Sequence, residues 1–205
     1  VTAATTAAPL LPLLPQLLPQ LLLLQGEAAT LKRDIQAGNP KSAAESLGNA
    51  YTSGRGQQAA TALAAAAAGG GAAVAVGKAF AETSRARPSA APWLLRQTAD
   101  LSVRSGHVRG FSQSVSQAFV WGRSQGFLPS LVTSIADAII GGGPQTRYAF
   151  GSSIATAIAT GGDNRGAVVE ATATAMCRGG STAQAWAEAY AVALDQDPQG
   201  CTVLR

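Results

Sequence analysis

Glycine and proline cut this chain at near-regular intervals, and no other feature constrains its fold as strongly. Breaks fall at Gly38-Asn39-Pro40, Gly54-Arg55-Gly56, Gly69-Gly70-Gly71, Arg87-Pro88, Gly106, Gly126, Gly141-Gly142-Gly143-Pro144, Gly161-Gly162 and Gly179-Gly180. Between them lie blocks of helix length, rich in alanine, the best helix former. Pro40, Pro129 and Pro144 stand where a first helical turn begins, a position whose N–H has no intrahelical partner in any case. Asn39, Asp163 and Ser181 are placed as N-caps, and the glycines as left-handed C-terminal caps. The late breaks at 141, 161 and 179 recur every 18–20 residues, a weak repetition of one helix plus one turn. The pattern predicts an all-α fold for residues 27–205, an irregular array of seven to nine short Ala-rich helices separated by Gly/Pro turns.

The clearest block is Thr182-Ala-Gln-Ala-Trp186-Ala-Glu-Ala-Tyr190-Ala-Val-Ala-Leu194. Its strict alternation has the period of a strand, but alanine is depleted in strands and favours helices. Wound as a helix, the block places Trp186, Tyr190 and Leu194 on one stripe. Gln184, Glu188 and Val192 make a second, mostly polar stripe, with alanine flanks that let neighbouring backbones come close. Ile154 and Ile158 make a similar stripe opposite Thr156 and Thr160. Val168, Thr172 and Met176 run opposite Glu170 and Thr174. Across 58–84 alanine is so dense that helix propensity sets the structure, and a silk-like alanine sheet is the competing arrangement.

Residues 1–26 are different. Pro9, Pro12, Pro15 and Pro19 interrupt a run of leucines, opposing an α-helix and suiting an extended polyproline II ribbon. Exposed leucines cost about 25 cal/mol per Å² of apolar surface in water. Leu10, Leu11, Leu13, Leu14, Leu17 and Leu18 are therefore expected to dock against the body of the protein or a neighbour. The prolines also rule the stretch out as a membrane span, which needs about 20 apolar residues with the backbone satisfied internally. The chain begins at Val1 without a basic leader, as is expected of a secreted protein after its signal peptide is removed and equally of a shortened sequence.

Two cysteines, Cys177 and Cys201, bracket a single helix. They are too few for a four-ligand zinc site. They form either a disulfide, which with the leaderless start points to an oxidising compartment, or two unpaired thiols.

Ala183-Gln-Ala-Trp-Ala-Glu-Ala-Tyr-Ala-Val-Ala-Leu194, and with it Ser130-Leu-Val-Thr-Ser-Ile-Ala-Asp-Ala-Ile-Ile140, resembles the Ala/Ser/Gln-rich helices of the globular domains of spider silk proteins, the spidroins. The likeness covers residues 127–200 and is one of composition. Frequent arginine, the Leu/Pro segment and the lack of long Gly/Ser tracts depart from that family. The resemblance implies an extracellular helical module that stores, solubilises and aligns chains, often as a dimer.

Signatures of catalysis are missing from the sequence. His107 is its only histidine, set in Ser105-Gly106-His107-Val108-Arg109, and no motif supplies the carboxylate or nucleophile that a histidine base requires. Gly-x-Ser-x-Gly and His-Glu-x-x-His do not occur, and Gly69-Gly70-Gly71 lacks the Lys-Ser/Thr ending of a phosphate loop. Gly161-Gly162-Asp163-Asn164-Arg165-Gly166 holds one carboxylate where a calcium loop needs several. The threonines at 156, 160, 172 and 174 are too irregularly spaced for an ice-binding array. No catalytic residue, metal or cofactor is expected.

Only 13% of the residues are charged, against about 25% in an average protein. A surface so sparingly charged is expected to be covered in part by neighbouring molecules. Basic residues concentrate mid-chain, where Arg85, Arg87, Arg96, Arg104, Arg109 and Arg123 form a candidate face for an acidic glycan or for the acidic end of another copy. The alternative is an ordinary solvated surface. Nucleic acid is not expected, because the arginines are spread over many helices and no binding module is present. The sequence thus points to a secreted, non-catalytic structural subunit of an extracellular filament, matrix or silk-like material, assembling with copies of itself. A helical-repeat module that holds a protein or an acidic glycan is the alternative.

Overall fold

The computed structural model describes residues 29–68 and 72–197, and these fold into ten α-helices with no strand among them. Helix α1 covers residues 29–36. It is followed by α2 (Pro40–Thr52), α3 (Gly56–Ala68), α4 (Ala73–Ala86), α5 (Ala91–Arg104) and α6 (Val108–Ser124). The series ends with α7 (Leu128–Ile140), α8 (Pro144–Thr160), α9 (Gly162–Arg178) and α10 (Gly180–Gln196). The all-α expectation holds, while the count exceeds the expected seven to nine because every Gly/Pro break ends one helix and starts another. None of the described helices is long and apolar enough to cross a membrane. The Leu/Pro segment and its docking leucines lie outside the described residues.

Local chemistry sets the turns. Four of them repeat one motif, in which a glycine at φ between 69° and 76° closes the helix. The next residue then donates its N–H to a carbonyl five positions back: Asn39 to Asp34, Arg55 to Ala50, His107 to Ser102 and Phe127 to Gly122, at 2.7–3.0 Å. This is the Schellman cap, and it ties up carbonyls that a helix end leaves bare. Asn39 caps α2 as expected, its side chain accepting from the Ser42 N–H at 3.3 Å, with Pro40 opening the helix. Pro129 and Pro144 likewise sit in the first turns of α7 and α8.

Asp163 and Ser181 depart from the expectation. They lie inside the first turns of α9 and α10, and the cap positions fall to Gly161 and Gly179. Both glycines take φ near 70° with ψ −164°, a conformation essentially confined to glycine, so each helix starts two residues earlier than capping by Asp163 or Ser181 would have it.

The helices pack in two rows, each helix lying against the one two further along. Helices α2, α4, α6, α8 and α10 form one row; α3, α5, α7 and α9 form the other. This is the packing logic of helical-repeat arrays, where each unit buries its apolar face on the next. Helix α1 is tied to α2 through Asp34, which accepts hydrogen bonds from Ser42 at 2.8 Å and Ser46 at 3.3 Å. One core runs through the array from Leu31 to Ala193. Phe80, Phe111 and Phe150 line up edge to face across α4, α6 and α8, with centroids 5.9 and 5.5 Å apart.

Small residues let the rows close. At Gly77 in α4, a side chain would run into the backbone of α6 at Ser114 and Ala118. At Gly151 in α8, a Cβ would lie 2.8 Å from the Ala189 carbonyl oxygen of α10. Several buried hydroxyls are satisfied within their own helices: Thr83, Thr98, Ser114 and Ser153 each donate to the carbonyl four residues back. Others tie helices together: Ser116 donates to Asn164, Thr146 to Asp100 and Ser152 to Gln196.

Two expected stripes reach the core only in part. In α10 the buried face is Ala185, Trp186, Ala189 and Ala193, with Tyr190 and Leu194 only partly covered. Trp186 anchors it, packing edge-on to Phe119 at 5.8 Å and donating its indole N–H to Thr172 Oγ1 at 3.1 Å. In α9 the buried face is Ala167, Val168, Ala171 and Ala175, so Met176 points away from the core. Alanine is small enough to let α9 and α10 sit close, and close packing selects the alanine face over the larger side chains.

Candidate interaction surface

The six arginines of the expected basic face do not converge. Arg85 and Arg87 end α4, whereas Arg104 and Arg109 flank the turn after α5, a helix of 14 residues and hence about 21 Å long. Three of the six are committed to neighbouring elements. Arg85 pairs with the buried Glu82 at 3.1 Å and lies 5.8 Å from the Phe127 ring centre. Arg123 on α6 pairs with Glu170 on α9 at 2.8 Å. Arg96 on α5 donates to the Gly141 carbonyl at the end of α7. One turn further along α5, Asp100 accepts from Thr146 at 2.6 Å. Together Arg96 and Asp100 grip both sides of the Gly141-Gly142-Gly143-Pro144 turn. The fourth, Arg87, runs along the bare backbone of Gly48. Arg104 and Arg109 remain exposed, with the exposed His107 between them in sequence.

His107 takes the N-cap position of α6 without a capping bond from its side chain. It borders a shallow depression of about 410 Å³ shared with Thr61, Leu101 and Ser105. Among the described residues, no three His, Cys, Asp or Glu side chains stand close enough to hold a metal ion.

A larger groove, about 620 Å³, opens between α1, α3 and α4. Its walls are Ile35, Ala65, Ala66, Ala75 and the half-exposed Val74. Lys32 and Lys78 stand at its edge. Lys78 is steadied by the face of Trp121, whose ring centre is 4.4 Å from the ammonium nitrogen. This apolar, lysine-edged groove was not among the expectations, because its residues come from three separate helices.

At the opposite end of the array, α9 carries a ridge. Val169 is 44% exposed and Met176 46%, with Ala173 and Cys177 exposed between and beside them. Spacings of four, seven and eight residues put all four on one helical face. The Cys177 thiol is free and exposed; Cys201 lies outside the described residues. The signal was present in the sequence as a second apolar register, one residue out of step with Val168.

Charge divides the molecule in the same place. Residues 162–197 carry Asp163, Glu170, Glu188, Asp195 and Asp197 against Arg165 and Arg178, a net −3. Residues 29–161 carry 12 Lys and Arg against 5 Asp and Glu, a net +7. Helix α9 itself is neutral, with Asp163 and Glu170 against Arg165 and Arg178, and Glu170 and Glu188 are paired with Arg123 and Arg147 of earlier helices. No protein-family model, curated protein or solved structure matches the chain.

Proposed function

We propose that this chain is a secreted, non-catalytic structural subunit that assembles with further chains into an extracellular filament, matrix or silk-like material. The observation that carries the reading is the α9 ridge. Helices α4, α7 and α8 each expose a single large apolar residue, Val74, Ile140 and Tyr148, whereas α9, with no helix two further along in its row among the described residues, leaves both Val169 and Met176 nearly half exposed on one face. An apolar strip at the end of a stacked array is a surface on which another helix can stack. Alanine-rich faces and a sparing surface charge favour the same outcome, because close contact between molecules then desolvates few charges.

Sedimentation velocity of the full chain across the micromolar range tests the reading. The expected result is an s-value that rises with concentration and falls again when Met176 is replaced by Glu. A single monomer boundary at every concentration would count against assembly.

A second reading is supported by the groove between α1, α3 and α4: a helical-repeat module holding a protein or an acidic glycan, with Lys32 and Lys78 meeting its charge. Titration with a sulfated or uronic-acid oligosaccharide separates the two. Saturable binding by a monomer, lost in the double variant Lys32→Gln/Lys78→Gln, would favour the module.

A further inference from the structure

We infer that the leucine run at 21–24 seats in the groove between α1, α3 and α4 of its own chain. The run lies outside the described residues, but covalent geometry bounds where it can go. It ends five residues before Ala29, where α1 begins, so Leu24 lies within about 17 Å of that helix end and Leu21 within about 27 Å. Helix α1, residues 29–36, is about 12 Å long, and its own Lys32, Ile35 and Gln36 wall the groove. The depression is therefore within reach of the run. A tether this short holds the run there at an effective concentration of about millimolar, against which a free copy in the micromolar range does not compete.

Chemistry matches the reach. Residues 1–26 contain ten leucines and no charged side chain. Such a stretch gains by leaving water for an apolar surface. The groove supplies one in Ile35, Ala65, Ala66, Ala75 and the half-exposed Val74, around a volume of about 620 Å³. Alanine walls leave a hollow that branched side chains fill. The groove's polar groups fit the same occupant. Among the described residues no carboxylate lines it, and Lys32, Lys78 and Gln36 hold N–H donors that main-chain carbonyls accept from. An uncharged segment thus meets no unpaired negative charge and finds donors for its backbone. The inference is independent of assembly between copies. A groove filled from within is closed to the protein or glycan of the second reading.

Cysteine cross-linking in the full chain tests the inference, with Cys177→Ser and Cys201→Ser as the background. Val74→Cys marks the groove, and Leu22→Cys or Leu23→Cys marks the run. The control for Val74→Cys is Arg33→Cys, at an exposed position of α1 that does not line the groove. Arg33 is nearer the run along the chain, so random encounter favours the control. With a small disulfide as oxidant, at least one of the two run positions is expected to close onto Val74→Cys at least tenfold faster than onto Arg33→Cys. The product is an intrachain disulfide whose rate does not depend on protein concentration. Equal or slower closure at both run positions would overturn the inference. A cross-linked dimer in place of the intrachain product would overturn it too, by placing the run in the groove of a second copy. Thermolysin, which cleaves beside leucine, gives a second reading without engineered thiols. Val74→Glu puts a charge at a half-exposed position, with circular dichroism to check that the helices are kept. Cleavage at 21–24 is expected to rise at least tenfold, and a rate equal to that of the wild type would contradict the inference.

Discussion

Phe111 of α6 meets Phe150 of α8 edge to face, their ring centres 5.5 Å apart and their planes 72° apart. Phe111 also meets Phe80 of α4 at 5.9 Å, so one fully buried ring couples three successive helices of a row. Aromatic pairs of this kind add roughly 0.5–1.5 kcal/mol to the area they bury. Replacing Phe111 with Ala removes both contacts and leaves a cavity, at an expected cost of about 3–5 kcal/mol. Urea unfolding followed by circular dichroism should show the midpoint falling with an unchanged slope. A loss below about 1 kcal/mol would mean that α4, α6 and α8 are not coupled through this ring.

Glycine has two roles inside these helices, and substitution by alanine separates them. Alanine raises helix propensity by about 1 kcal/mol over glycine. At Gly48 the three atoms nearest the added methyl all belong to the side chain of Arg87, an exposed residue whose long flexible chain can swing aside. Gly48→Ala is thus expected to be neutral or stabilising by up to about 1 kcal/mol. At Gly77 the methyl meets backbone atoms of α6 at Ser114 and Ala118, which can move only by driving the two helices apart. Gly77→Ala is expected to destabilise by about 1–3 kcal/mol despite its better propensity. Thermal unfolding of the two variants in parallel checks the contrast, and equal behaviour would contradict it.

The sequence announces this fold where the physics is local and conceals it where it is not. Gly38, Gly54, Gly106 and Gly126 mark turns because their positive φ is a property of a single residue and its neighbours. Pro40, Pro129 and Pro144 mark first turns for an equally local reason. By contrast, Arg96 finds Gly141 and Arg123 finds Glu170 across separations of 45 and 47 residues. No periodicity in the sequence foretells such partners, and the six arginines therefore read as one face when three of them hold neighbouring elements. Met176 faces away from the core for another reason. In an alanine-rich helix two registers are available, and the choice between Val168-Thr172-Met176 and Ala167-Val168-Ala171-Ala175 is made by how closely α8 and α10 approach. The Lys32–Lys78 groove is a product of tertiary packing alone.

The grip of α5 on the turn between α7 and α8 makes a third prediction. Arg96 and Asp100 lie one turn apart on the same face of α5 and engage Gly141, the first of three consecutive glycines, and Thr146, three residues beyond the last. Three glycines lose more conformational entropy on ordering than any other tripeptide, so this turn needs external ties to stay fixed. Thr146→Val removes the hydroxyl that meets Asp100 and leaves the carboxylate a partner short, at an expected cost of about 1–3 kcal/mol. Hydrogen exchange should accelerate at 141–147 more than elsewhere in the chain. Uniform acceleration would mean that the substitution weakens the whole array and not the turn.

The turn between α6 and α7 offers the sharpest test of the repeated cap. Gly126 holds φ at 75°, and Phe127 behind it donates to the Gly122 carbonyl at 2.9 Å. A Cβ at Gly126 would meet nothing within 4 Å, so crowding from neighbours is not at issue. The cost of a side chain there is purely that of the left-handed backbone, about 1–2 kcal/mol for an ordinary L-residue. Asparagine tolerates this region better than alanine, because its short polar side chain bonds locally to the backbone. The expected order of stability is Gly126, then Gly126→Asn, then Gly126→Ala. Melting temperatures of the three proteins establish the order. If alanine matched glycine, the chain would be leaving α6 by some route other than the left-handed turn, and Phe127 would lose its bond to Gly122.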